Sequence, residues 1–197
     1  MKGKNHVISG LSTILTIDGT VGLVSKLMNN DLYTNMHTTI ANFSFIDATI
    51  NNVINGIITA VICIILYIIG CLIPDIDQEK STLGRFIHIP VDHRTWTHTI
   101  WMVILLAIPA IFAHCFVWLA FGCAVHIFWD SLSKGGICWF YPISKYKTWS
   151  SGAQIKNKHF IYLYHTGDIT ETILTIFTGI TSAGLFTLNI MKIIDII

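Results

Sequence analysis

The sequence predicts an all-α fold, a polytopic membrane helical bundle of about five helices, on three observations. Hydrophobic residues make up 53% of the 197 and charged residues 12%; with a mean hydropathy of +0.64, the balance is too apolar for an ordinary water-soluble domain. Uncharged runs at Val53–Ile73, Ile100–Trp129 and Thr172–Met191 match or exceed the roughly 20 residues that a hydrocarbon core requires. Polar stretches that carry most of the acids and imidazoles separate these runs. The length suits one domain over residues 1–197, and a net charge of +1 gives no basic surface for nucleic acid.

Taken in order, residues from about His6 to Met28 form a first helix whose Ser9, Gly10, Ser12, Gly19 and Gly22 offer small faces for close packing. Asp18 is expensive within it and is expected to face the bundle in a packing hydrogen bond. It also breaks the apolar stretch, and no small-x-small site follows, so a cleaved leader is not expected. Residues 29–52 read as a polar loop in which His37 is solvated. Val53–Ile73 is the clearest spanning segment. Ile100–Trp129 is longer than one upright crossing, and Pro109 near its middle predicts two short helices joined by a turn. Between Ser131 and Asp168, lysines alternate with Trp139, Phe140, Tyr141, Tyr146 and Trp149, a mixture typical of the headgroup zone. Thr172–Met191 is the last helix, with Glu171 at its start. Four of the five cysteines lie in apolar runs without metal-ligand spacing and read as small buried hydrophobes.

The polar residues cluster where the helices turn. Asp75 and Asp77 follow Pro74, where a helix ending would aim its negative dipole end at two carboxylates. His93, Arg94 and His98 come one loop later, and a bound divalent cation reconciles acids, imidazoles and a helix C-terminus. Up-and-down threading puts His6, Asp75, Asp77, His98, His126, Asp130 and Glu171 on one membrane face, provided Ile100–Trp129 is a hairpin. The same face collects Lys2, Lys4, Lys80, Arg85, Arg94, Lys134, Lys145, Lys147, Lys156 and Lys158 and leaves Lys26 and Lys192 opposite. The expectation is a bacterial-type inner membrane with the site facing the cytoplasm.

Each residue also has an ordinary reading. His126 and Asp130, four apart on a helix, can be a structural hydrogen-bonded pair; Asp75 and Asp77 can form a turn; Glu171 can simply favour a helix N-terminus. Arg94 suits a phosphate oxygen or a buried carboxylate equally. His88, His114, His159 and His165 are bystanders on this reading, with His114 near the far-side turn.

Six segments change the weighting: NHVISG at 5–10, GCLIPDIDQEKSTLGR at 70–85, HRTWTH at 93–98, HIFWDSLSKGG at 126–136, the WFYP ending at Pro142, and GDITE at 167–171. Together they resemble the YdjM-type inner-membrane-associated metal-dependent hydrolases, a family described as LexA-binding, and more remotely the zinc-dependent phospholipases C. The resemblance implies metal or catalytic roles for His6, Asp75, Asp77, His93, His98, His126, Asp130 and Glu171, with Arg94 nearby. The family often has histidine after the second aspartate and glycine after His-Arg, where this chain has Gln78 and Thr95, and threonine where it has Asn5.

The function expected from this is hydrolysis of a phosphate ester in a lipid or lipid-like substrate. The cofactor expected is one to three divalent ions, zinc first, with manganese or iron as alternatives. Asp75, Asp77 and Glu171 are candidate bases, and Arg94 would stabilise phosphoryl charge. Two other classes stay open: a metal-ion transporter, against which stands the scarcity of polar groups away from the site face, and a non-enzymatic anchor for a regulatory protein docking on Trp139–Lys158.

Overall fold

The computed structural model describes residues 3–27, 53–87, 89–143 and 163–194. Among these are five helices and no strand: α1 Gly3–Leu27, α2 Val53–Leu72, α3 Ile100–Ala107, α4 Val117–Ser131 and α5 Ile169–Ile194. The loop 29–52 with His37, the side chain of Asp18, His88, and residues 144–162 with their lysines and His159 lie outside the described residues.

Glycine sets the central crossing, between α2 and α4. A Cβ on Gly70 would stand 2.1 Å from the Leu119 carbonyl oxygen, and one on Gly122 would stand 2.2 Å from that of Tyr67. Each glycine therefore lets the opposite backbone touch it, as small residues do where helices pack without large side chains between them. Gly10 on α1 completes the junction, where an added Cβ would meet Cys71 Sγ at 2.9 Å.

Pro109 sits where the sequence places the hairpin. α3 ends at Ala107, two 3₁₀ turns follow at Ile108–Ile111 and His114–Phe116, and the chain returns as α4. Proline supplies no N–H to continue the ladder of α3, and its fixed φ suits the tight turn. His114 lies in this turn, as expected. α1 packs along α5 through small polar side chains: Ser9 Oγ is 3.5 Å from Thr175 Oγ1, and Ser9, Ser12, Thr175 and Ser182 are all buried. The outward faces are apolar. On α2 Ile58, Ile62, Ile65 and Ile69 form an exposed helical stripe, and on α5 Ile173, Ile176, Phe177 and Ile180 do the same.

Among the described residues no helix is long and apolar enough to cross a membrane. Cys63, Cys71, Cys123 and Cys138 are buried.

Candidate metal centre

The site forms where α2 ends. Pro74 tightens the chain into the 3₁₀ turn Ile73–Asp77, and both carboxylates are carried inward, Asp75 4% and Asp77 6% exposed. Two acids at the negative end of a 20-residue helix would be held against Coulomb repulsion and desolvation together unless positive charge compensates.

Three imidazoles converge on them. His6 from α1 lies flat on His126 from α4, ring centroids 3.6 Å apart and planes 15° from parallel. His98, from the 3₁₀ turn Trp96–His98, meets the edge of His126 at 5.3 Å. His98 Nε2 is 3.3 Å from Asp130 Oδ2 and 3.8 Å from Asp75 Oδ1. His126 Nε2 is 3.7 Å from Asp75 Oδ1 and 3.8 Å from Asp130 Oδ2, and His6 Nε2 is 3.4 Å from Asp130 Oδ1. Both ends of the α3–α4 hairpin thus reach one point, as the threading requires.

These separations bear on what the cluster can hold. The three Nε2 atoms are buried and make no hydrogen bond among the described residues, which is costly for polar atoms. Ligands bound at about 2.0–2.2 Å around a tetrahedral ion are about 3.3–3.6 Å from one another. The nitrogen–oxygen separations fall at or just above that range, a spacing that a shared cation could fill. His6, Asp75, His126 and Asp130 offer ligand atoms all within 4.8 Å of one another, as do Asp75, His93 and His98. The donor set of imidazoles and carboxylates fits a divalent ion.

The surrounding groups fix which atom of each ligand faces inward. His126 Nδ1 is 2.6 Å from the Cys71 carbonyl, a contact that the Gly70–Gly122 crossing makes possible, so its proton sits there and Nε2 keeps its lone pair for the cluster. His98 Nδ1 lies 3.0 Å from Thr97 Oγ1 and 3.7 Å from Asp77 Oδ2. Asp77 is turned away from the cluster: Oδ1 accepts from His93 Nδ1 at 2.9 Å and Oδ2 from the Thr97 hydroxyl at 2.7 Å. Burial alone would push Asp77 up, but the His93 hydrogen bond, with His98 and Thr97, holds it below the ordinary carboxylate range. Burial raises Asp75 despite nearby His98, and burial lowers His98 despite its contact with Asp130.

Arg94 closes one side of the site. Its Nη1 donates to Ser133 Oγ at 3.1 Å and the Gly136 carbonyl at 3.2 Å, and its Nη2 stands 3.6 Å from Asp130 Oδ2. Arg94 has φ 64°, an uncommon conformation for a side-chain-bearing residue, and Gly135 leaves the guanidinium room: a Cβ there would sit 1.9 Å from Nη1. Glu171 is buried beside the cluster with other partners, Oε1 accepting from Asn5 Nδ2 and Oε2 from the Gly167 N–H, both at 2.6 Å. It ties the first turn of α5 to the first turn of α1, just where His6 lies.

Of the residues singled out in the sequence, His6, Asp75, His126 and Asp130 form one group, and His93 and His98 form a second with the shared Asp75. Asp77 and Glu171 hold neighbouring groups, and Arg94 contacts Asp130. His165 is exposed. Sequence reasoning missed Thr97, Ser133, the Cys71 carbonyl and the roles of Asn5, Gln78 and Gly135. The Gly135–Gly136 pair four residues beyond the helix was the available signal, since glycine commonly marks a close approach.

Fold and site together define an all-α protein with a buried His/Asp cluster able to hold a metal ion at one end of its helices. The chain belongs to the YdjM inner membrane protein family, which it matches over residues 1–193. Neither a curated protein nor a solved structure matches it.

Proposed function

We propose that this chain is a membrane-embedded, metal-dependent hydrolase that cleaves a phosphate ester of a lipid or lipid-like substrate at the cytoplasmic surface of the inner membrane. The observation that carries the reading is the convergence of three unsatisfied imidazole Nε2 atoms on Asp75 and Asp130. Membership of an inner membrane family agrees with apolar stripes facing outward on α2 and α5 while serines and threonines are buried between α1 and α5, the inverse of a water-soluble bundle.

His6, Asp75, His126 and Asp130 would hold the ion with His98 beside them, zinc being the best match to mixed nitrogen and oxygen donors. When bound, it supplies Lewis acidity toward water and a phosphoryl oxygen. Asp75, facing the imidazoles through Oδ1, would accept the proton of the attacking water on its other oxygen. Arg94, always charged and held by Ser133 and Gly136, meets charge developing on the phosphoryl oxygens. Asp77 keeps His93 and Thr97 in place, and Glu171 keeps α1 in register so that His6 reaches the cluster.

Exposed apolar groups near the site support a lipid substrate. Phe86, Ile87 and Trp96 are 85%, 63% and 50% exposed, and Ile89 N–H bonds to the Ile76 carbonyl between the two aspartates. Trp96 also meets Tyr141 edge to face at 5.3 Å, next to exposed Phe140 and Ile143. Such groups support a site mouth at the headgroup level.

Elemental analysis of detergent-purified protein, with turnover of phospholipids and model phosphodiesters, tests the reading. Wild type should carry a divalent ion and turn over, and Asp130→Ala should lose both while keeping its helical circular dichroism. Absence of metal and of turnover in wild type refutes it.

A further inference from the structure

Beside the main cluster, Asp75, His93 and His98 form a second group with ligand atoms within 4.8 Å of one another. Taken alone, that group invites a second ion sharing Asp75 with the first. Gln78 changes the balance. Its Nε2 is 2.9 Å from Asp75 Oδ1 and 3.0 Å from His93 Nε2. An amide nitrogen carries two hydrogens and accepts none, and a carboxylate oxygen at that distance requires a donor, so the nitrogen is the atom facing the acid.

The ring of His93 is already committed on its other side. His93 Nδ1, at 2.9 Å from Asp77 Oδ1, donates to that carboxylate, and the amide nitrogen of Gln78, 3.0 Å from Nε2 and 3.3 Å from Nδ1, stands against the ring. Gln78 therefore donates to the Asp75 oxygen and fills the space between that oxygen and the His93 ring, where a second cation would stand. A neutral group presents its positive end where an ion would otherwise stand.

Gln78 is held there by its backbone. Its N–H bonds to the Asp75 carbonyl at 3.0 Å, its own carbonyl accepts from the Ser81 N–H at 2.9 Å, and a Cβ on Gly84 would lie 2.0 Å from that carbonyl oxygen. The side chain projects from an anchored turn into a half-buried position and has no reason to swing aside for an ion.

We propose that Gln78 occupies the second cation position and makes this centre mononuclear, with one divalent ion in the His6, Asp75, His126 and Asp130 group and His98 beside it. The inference rests on the metal reading above, and its consequence is chemical: the charge that a second ion would bring to a phosphoryl group must come from Arg94.

The test is metal stoichiometry in detergent-purified full-length protein titrated with Zn²⁺, by calorimetry and elemental analysis, with electron paramagnetic resonance of the Mn²⁺-loaded form. Wild type should bind one equivalent and give an uncoupled Mn²⁺ spectrum. Gln78→Glu, of the same shape but with an oxygen in place of the amide nitrogen, should bind two and give a spin-coupled pair. Gln78→Ala should raise the second-site affinity at least tenfold over wild type. Two equivalents in wild type, or one in folded Gln78→Glu, overturns the assignment of Gln78 and leaves the metal site standing. No ion in wild type overturns the metal reading itself. If Gln78→Glu does not fold, the wild-type stoichiometry and spectrum decide alone.

Discussion

Gly122→Ala tests whether the helix crossing sets the chemistry. The new Cβ would lie 2.2 Å from the Tyr67 carbonyl oxygen, against about 3.4 Å for ordinary contact, so α2 and α4 must separate by about 1.2 Å. The neighbouring backbones offer no flexible side chain to absorb the shift. Overpacking of this kind costs about 1–3 kcal/mol. The same displacement stretches the 2.6 Å bond between His126 Nδ1 and the Cys71 carbonyl beyond hydrogen-bond reach, about another 1 kcal/mol. A total of about 2–4 kcal/mol lowers Tm by roughly 4–16 °C for a chain of this size. Releasing the ring of a ligating histidine should also weaken metal binding by about 10- to 100-fold. Thermal unfolding in detergent reads the first effect and competitive Zn²⁺ chelation the second. Wild-type Tm with wild-type affinity would refute the claim that this crossing orients His126, and a lower Tm with unchanged affinity would confine its role to packing.

Three further outcomes are expected. Gly135→Ala puts a methyl 1.9 Å from Arg94 Nη1 and displaces the guanidinium from Ser133 and Gly136, so turnover should fall about 100-fold with metal content unchanged, and loss of metal would contradict it. Glu171→Gln sets an amide donor against either Asn5 Nδ2 or the Gly167 N–H; a loss of about 1.5–3 kcal/mol with faster hydrogen exchange in α1 is expected, and an unchanged Tm argues against the tie. For the metal-free protein, burial lowers His98 below its ordinary 6.5. The unfolded chain therefore binds that proton more readily, and stability is complete above pH 6.5 and falls as pH drops below it. His98→Ala should flatten that slope between pH 7 and 5, and an identical slope in the variant would remove His98 as its source.

Much of this architecture is legible in the residues, for identifiable reasons. Uncharged runs bounded by polar islands mark helices because backbone groups need internal partners wherever side chains are apolar throughout, and Pro109 marks the reversal because it removes a donor. The dipole argument at Pro74 points to buried charge at Asp75 and Asp77. What it leaves open is which acid faces the imidazoles: in a 3₁₀ turn, residues two apart point in different directions, and only Thr97 and His93, 20 and 16 positions away, show where Asp77 is committed. Contacts of that kind have no periodicity to read. Gln78 looks like a polar residue in a loop until the distances to Asp75 and His93 are known, and the Gly70–Gly122 contact needs two helices whose relative register no single segment encodes.

The pairing of α1 with α5 has a bearing on biosynthesis. His6 emerges from the ribosome early, yet the partners that steady it, Thr175 through Ser9 and Glu171 through Asn5, are translated more than 160 positions later. A nascent chain arrested before α5 can present Asp75, His98, His126 and Asp130 but has nothing to clamp the histidine contributed from its own beginning. The cluster able to hold a metal ion is thereby completed only once the final helix has been made.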